Sequence, residues 1–361
     1  PGDFVDQFSL FASRAERQAM REQLGLNLPI WQRYLNWLNR LVHLDLGFSF
    51  TGGPLVEILE RVIPPTLLVF VTGTALAFSI GLWLGKRTAW RGRGFLSRLT
   101  TLGGITLFTS FPPWLAYLLA YFLTGGHDFV IMGERGGLGL RGFHSLTAEV
   151  WQDVTISPSG VAFRMCLTAV AATALIMLFN YLVVRVLDRG LPAVANLLMI
   201  AGLTVASWYT LGIHDLAFDM ARISWLAILT YTVLSFGETL VIMQSSMTET
   251  LIEEYVTTAH AKGLPASVVR EKHAARTALL PVISRLVISL PYLITGVVIV
   301  ESSIGWPGMG TAMWNALYWQ DMPIVMTIVL FVGILSLVAR LVLDVMIAYL
   351  DPRIRYGQQQ P

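Results

Sequence analysis

Apolar residues fall along this chain in long runs separated by short polar stretches. About 20 consecutive apolar residues are needed for a helix to cross a hydrocarbon layer of roughly 30 Å. Seven runs reach that length, at about 63–85, 99–123, 162–184, 191–213, 223–243, 278–300 and 323–350. Seven such runs cannot share one soluble core, so the pattern predicts an all-α polytopic membrane protein. Two polar regions interrupt it. Within residues 1–62, "RAERQAMREQLGL" reads as a charged helix. The stretch "PIWQRYLNWLNRLVHL" sets Trp31, Tyr34, Leu35, Leu38, Leu41 and Val42 on one helical face. That face suits a helix resting on the bilayer or a docking surface for an external partner.

The second polar region, 244–277, stands between two apolar runs. Leu251, Tyr255 and Ala259 recur every four residues, so 248–262 reads as a helix with one apolar face and an acidic start at Glu249, Glu253 and Glu254. Gly263 follows where a left-handed C-terminal cap is needed. Pro265 suits the first turn of a second short helix, about 265–277, carrying Arg270, Lys272 and Arg276. A solvated connector has no use for caps and an apolar face. The segment reads as a compact element made to fit a partner's groove.

Charge orients the spans. Lys86, Arg87, Arg91, Arg93, Arg98, Arg185, Arg189, Lys262, Arg270, Lys272, Arg276, Arg353 and Arg355 all fall on one side of the alternating crossings. Short loops on the other side hold only Arg135, Arg141 and Arg222. The basic side is therefore expected to be cytoplasmic, with the C-terminus there. This places 1–62 outside, which requires an earlier span upstream of Pro1.

Composition agrees. The chain has 361 residues, of which 55% are hydrophobic and 13% charged, about half the charge of an ordinary soluble protein; mean hydropathy is +0.62. A formal net charge of +2 gives no signal for nucleic acid. One cysteine, Cys166, can form neither an intrachain disulfide nor a thiolate zinc site, and the six histidines are scattered without metal-ligand spacing. No GxxxxGK[ST] phosphate loop occurs, so no ATPase site of its own and no bound cofactor are expected.

Charges at or inside apolar runs are the default functional candidates. Arg340 and Asp344 lie four apart and share a helix face; a structural pair is favoured over a substrate contact. Glu238 and Arg285 are expected to reach the interface by snorkelling. Pro112 and Pro113 break a span and free backbone carbonyls, a pore-lining feature or one buried by neighbours. Glu301 closes an apolar run before a loop of Gly, Pro and Trp, read either as a gate or binding-protein contact or as simple loop packing.

The stretch "EEYVTTAHAKGLPASVVREKHAARTALLPVISRL" resembles the coupling motif of ABC-transporter permeases, above all the dipeptide/oligopeptide/nickel importer group. Glu254, Tyr255, Val256, Ala259, Ala261, Lys262, Gly263, Leu264, His273, Arg276, Ala278, Leu279, Leu280 and Pro281 match its pattern. "VIVESSIGWPGMG", with Glu301, Trp306, Pro307, Gly308 and Gly310, resembles the family's external loop. "ALYWQDMPIV", with Asp321 and Pro323, and "LVLDVMIAYLDPRIRYG" resemble its C-terminal part, and "LFTSFPPWLAYLL" its Ser-x-Pro stretch. The family usually has Asn where Arg340 stands. "LGLNLPIWQRYLNWL" and "LDLGFSF" resemble the segment after the family's first span.

The resemblance covers roughly 1–123 and 223–357. It implies a type I ABC importer permease fold with an inserted transmembrane hairpin. The expected organisation is an external amphipathic segment 1–62, a two-helix core 63–123, an insertion 124–222, and a three-helix core 223–361. The last contains the coupling segment 244–277 and the external loop 301–322. Function would be that of one of two homologous permease subunits in a bacterial inner membrane, with two ATPase subunits carrying ATP and Mg at the cytoplasmic face and an external substrate-binding protein delivering peptides. Leu251, Tyr255 and Ala259 would pack toward an ATPase groove. Alternatives are a nickel or metal-chelate permease, a secondary transporter, or a structural membrane subunit. A secondary transporter would need internal repeats, and none is visible.

Overall fold

The computed structural model of the chain describes residues 4–8, 13–51, 53–92, 94–123, 156–187 and 193–350. Residues 124–155, the basic residues Arg93 and Arg189, and Asp351, Pro352 and Arg353 lie outside the described residues. The N-terminal region forms α1 (Arg14–Gln23) and α2 (Ile30–Val42). A capping box starts α1: Glu16 N–H donates to Ser13 Oγ and Ser13 N–H to Glu16 Oε2. Along α2, Ile30, Trp31, Tyr34, Leu35, Leu38 and Val42 are exposed and Leu41 is half-buried, so most of the apolar face expected there is left uncovered. A small antiparallel hairpin, β1 (Phe48–Ser49) with β2 (Gly53–Pro54), then leads into the first long helix.

That helix, α3, spans Leu55–Arg91, well beyond its apolar run at both ends. It is followed by α4 (Phe95–Thr109) and α5 (Pro112–Leu123). The single span expected at 99–123 is corrected to this pair, bent by 110°. The cause is local. Ser110 is extended, and Pro112 and Pro113 cannot donate the backbone hydrogen bonds that would continue α4. They start α5 instead, where a missing N–H is harmless.

Next come α6 (Pro158–Leu187), α7 (Ala193–Thr210) and α8 (His214–Thr250). Trp208 Nε1 donates to Thr168 Oγ1 at 3.1 Å and joins α7 to α6. The chain closes with α9 (Glu254–Ala261), α10 (Ala275–Ile304), α11 (Met309–Tyr318) and α12 (Met322–Leu350). Among the described residues, α3, α6 and α8 are each long and apolar enough to cross a membrane, and the bent α4–α5 pair would add a fourth crossing. With α10 and α12 on the runs 278–300 and 323–350, the chain is a multi-pass helical membrane protein.

The central packing is α3 against α8. Gly73, Ala77, Gly81 and Gly85, four residues apart, form a buried seam on α3. A Cβ at Gly81 would lie 2.8 Å from Phe236 O, and one at Gly85 2.9 Å from Leu240 O, so the two backbones nearly touch. Two apolar cores flank the seam. One, toward the end away from the basic loops, gathers Val69, Leu115, Ala116, Met165, Met220, Tyr231, Val300 and Trp306. The other, at the basic end, gathers Ala89, Met243, Met247, Val256, Ala259, Val269, Ala274 and Ala278.

Candidate functional site

Two constellations hold most of the residues singled out from the sequence. The first is the turn at the basic end. The helix expected at 248–262 is corrected to α9 alone: residues 248–250 still belong to α8, Leu251 is the C-cap of α8, and Glu253 precedes α9. Gly263 has φ of 72°, the left-handed conformation that lets the chain reverse after Lys262. The separate second helix expected at 265–277 is likewise corrected. Ala266–Val268 make one helical turn, Val269–Ala274 a π-turn, and the chain runs on from Ala275 into α10 without a break.

The orientation of α9 also differs from expectation. Val256 and Ala259 are buried in the basic-end core, at 1% and 5% exposure. They face this chain's own α3 and α8, so Ala259 is not free to meet a partner. Leu251 is half-buried against the same core. Val256 and Ala259 lie three positions apart, which puts both on one face, while Tyr255 lies beside that face and is partly exposed. Tyr255 donates its hydroxyl to Thr277 Oγ1 at 2.9 Å, tying α9 to α10. Glu254, Thr257, Thr258, His260, Lys262, Gly263 and Leu264 form the outward surface, with Ile252 (82% exposed) at its edge. Arg276 is exposed and His273 half-buried.

Polar contacts hold this turn to α3. Glu271 Oε2 accepts from Lys86 Nζ at 2.8 Å, and Oε1 from Arg270 Nε at 3.0 Å. Burial alone would raise the Glu271 pKa, but hydrogen bonds and charge from Lys86 and Arg270 hold it below the usual carboxylate value. Trp90 stacks on His260 with ring centroids 6.0 Å apart, and Arg270 lies over the Trp90 ring.

The second constellation is at the opposite end of α10. Glu301 is fully buried; its Oε2 accepts from Gly310 N–H at 2.8 Å, while its Oε1 has no hydrogen-bond partner among the described residues. Gly305, at φ of 75°, reverses the chain after α10. Trp306 Nε1 then donates to the Pro65 carbonyl at 3.2 Å, and Met309 N–H to Thr66 Oγ1 at 2.8 Å. The loop carrying Pro307, Gly308 and Gly310 is thereby latched onto α3. Asp321, also buried, accepts at Oδ2 from Ser49 Oγ (2.5 Å), Thr51 Oγ1 (2.9 Å) and Thr51 N–H (3.2 Å). It fastens the β-hairpin to the start of α12.

The intramembrane candidates divide. Glu238 and Arg285, expected to snorkel separately, form an ion pair at 3.1 Å between α8 and α10, because their helices cross where both side chains can reach. Pro112 and Pro113 are half-buried at the α4–α5 bend. Arg340 is exposed beside a shallow groove on α12 lined by Leu330, Gly333, Ile334, Ser336 and Leu337. The side chain of Asp344 lies outside the described residues.

Sequence reasoning missed Thr66, Pro65, Ser49, Thr51, Lys86 and Glu271. No local signal marks the first four, since their partners lie more than 200 residues away. Lys86 and Glu271 are opposite charges on loops assigned to the same side, and that pairing was within reach.

A family model described as the binding-protein-dependent transport system inner membrane component matches residues 189–356. A putative peptide permease protein of Brucella ovis is 30% identical over 364 residues, covering 98% of this chain and 90% of that protein. The oligopeptide transport system permease protein of Bacillus subtilis is 28% identical, covering 95% of this chain and 86% of that protein. A probable D,D-dipeptide transport system permease protein of Escherichia coli is also 28% identical, covering 96% and 86%.

Proposed function

This chain belongs to the family of binding-protein-dependent transport system inner membrane components, and from that premise we propose that it is one of two homologous permease subunits of an ATP-driven peptide importer. Peptide cargo is inferred from the names of the relatives. The chain supplies half of the pathway and no ATPase site; two partner subunits hydrolyse ATP, with Mg, at the cytoplasmic face, and an external binding protein delivers the peptide. The basic end, including the C-terminus, faces the cytoplasm.

The observation that carries this reading is the turn Glu254–Leu264. Its inner face is packed into this chain's own core, and its outer face is bare. A projection so backed moves as a rigid body when a partner's groove moves. The outer residues Glu254, Lys262 and Leu264, with Ile252, engage that groove, while Val256 and Ala259 hold the projection to the span helices. At the far end, the loop latched by Glu301 and Trp306 and the hairpin held by Asp321 form the outer rim that meets the binding protein.

The test is a double substitution on the outer face, Ile252→Glu with Leu264→Glu, in the complex assembled with its ATPase subunits. Membrane insertion is expected to stay at the wild-type level, and substrate-stimulated ATP hydrolysis to fall at least tenfold, a loss of about 1.4 kcal/mol or more in coupling. Normal stimulated hydrolysis in that variant would refute the assignment.

A further inference from the structure

We propose that the basic end of α3, with the first turn of α4, is a binding site for the headgroup of an anionic phospholipid, built from Trp83, Arg87, Arg91 and Arg98. Leu76, Ile80, Trp83, Arg87 and Arg91 succeed one another every three or four residues, and all are exposed. They share one arc of the helix, opposite the seam of Gly81 and Gly85 that meets α8. Along that arc the chemistry changes from aliphatic, to indole, to guanidinium. This is the order of hydrocarbon, interface and headgroup layers met on leaving a bilayer.

Arg87 lies over the Trp83 ring, its Cζ 4.2 Å from the centroid, which fixes the guanidinium while leaving its donors free. Ser97 Oγ donates to the Thr88 carbonyl at 3.1 Å. That bond pins the start of α4 beside the last turns of α3 and brings Arg98, the residue after Ser97, to the end of α3 that carries Arg87 and Arg91. It is exposed, with Phe95, Leu99 and Leu102 exposed around it. Among the described residues no carboxylate pairs with Arg87, Arg91 or Arg98. The neighbouring Lys86, by contrast, is paired with Glu271 on the side that carries the turn of α9.

Three guanidiniums gathered at the basic end of α3, none with a carboxylate partner among the described residues, need anions. Guanidinium forks match phosphate geometry, and the leaflet beside them offers phosphate permanently. An acidic protein partner is less suited, because the arc continues directly into the aliphatic, lipid-facing stripe. The inference rests on membrane embedding and holds whatever the cargo is.

The test uses the full chain in nanodiscs of phosphatidylcholine containing a minor fraction of either brominated phosphatidylglycerol or brominated phosphatidylcholine. The readout is quenching of the Trp83 component of fluorescence, taken as wild type minus Trp83→Phe. Phosphatidylglycerol should quench with a preference of at least tenfold over phosphatidylcholine. Each Arg→Gln change at 87, 91 or 98 should lower that preference about fivefold, as expected for a basic residue near an anionic surface. The Arg→Lys changes keep the charge but lose the fork, so each should fall between wild type and the matching Gln variant. Equal quenching of the Trp83 component by both lipids would overturn the proposal. So would a preference unchanged in the triple Gln variant, or loss of ATPase-subunit association from that variant without any lipid preference in the wild type.

Discussion

At Gly308 an added methyl group would stand 2.3 Å from Glu301 Oε1, and at Gly310 it would stand 2.2 Å from the Val298 carbonyl oxygen. The two obstacles differ in kind. One is a side chain that substitution can shorten; the other is backbone within α10. Gly308→Ala and Gly310→Ala should each destabilise the protein by about 1–3 kcal/mol, as overpacking does. Adding Glu301→Ala should restore most of the loss for Gly308→Ala, whereas for Gly310→Ala the Val298 backbone clash and most of the loss should remain, read as thermal midpoints in detergent across a double-mutant cycle. Identical behaviour of the two pairs would show that the clash assignment is mistaken. The sequence made Glu301, Gly308 and Gly310 visible, because a lone carboxylate after an apolar run and glycines beside Pro307 stand out. It could not disclose the latch, since Pro65 and Thr66 carry no sign of partners so distant along the chain.

On the scale of elements, α9 offers the sharpest contrast between pattern and packing. Its alanines and valine read the same whether they face a partner or the chain itself, so periodicity found an apolar face without saying what covers it. The neighbours decide: Val256 and Ala259 lie in the core with Met243, Met247 and Ala278. Ala259→Glu should therefore damage the chain itself, burying an unpaired charge at a loss of about 3 kcal/mol or more. Thr258→Glu, one position along and outward, should leave the yield of monodisperse detergent-solubilised protein unchanged. Equal yields for the two would mean that α9 does not dock as described. Helix lengths show the same limit. Hydropathy located α3 and α8 by their lipid-crossing middles, whereas polar turns extend each to 37 residues. The Gly73, Ala77, Gly81 and Gly85 seam was legible as four-residue spacing of small residues, a signature easily lost inside a run noted only for being apolar.

Across the whole molecule, α3 is the member common to both constellations. At one end Lys86 holds Glu271; at the other Pro65 and Thr66 hold the loop after α10. The depressed Glu271 pKa sets the pH sense of the basic-end tie. Its stabilisation is fully present above the unfolded carboxylate value and is lost as pH falls through the lower folded value. The pair is partly exposed, so the effect is local and below about 1 kcal/mol. Acidification through that range should loosen amides of residues 266–274 in wild type, seen as faster hydrogen exchange after correction for intrinsic rates. Glu271→Gln should be equally loose at neutral pH and show no further change on acidification. A wild type indifferent to pH would argue against the tie.

From Thr66 to Lys86 is 20 residues of unbroken helix, or about 30 Å. Close backbone approach to α8 at Gly81 and Gly85, and the Tyr231 ring against Gly73, leave little room for bending or for soft side chains to absorb a displacement. A tilt imposed where Lys86 is held must reappear at Thr66, as at the two ends of a stiff lever. The turn of α9 and the loop after α10 would then share one hinge pin, and neither could swing without the other registering it.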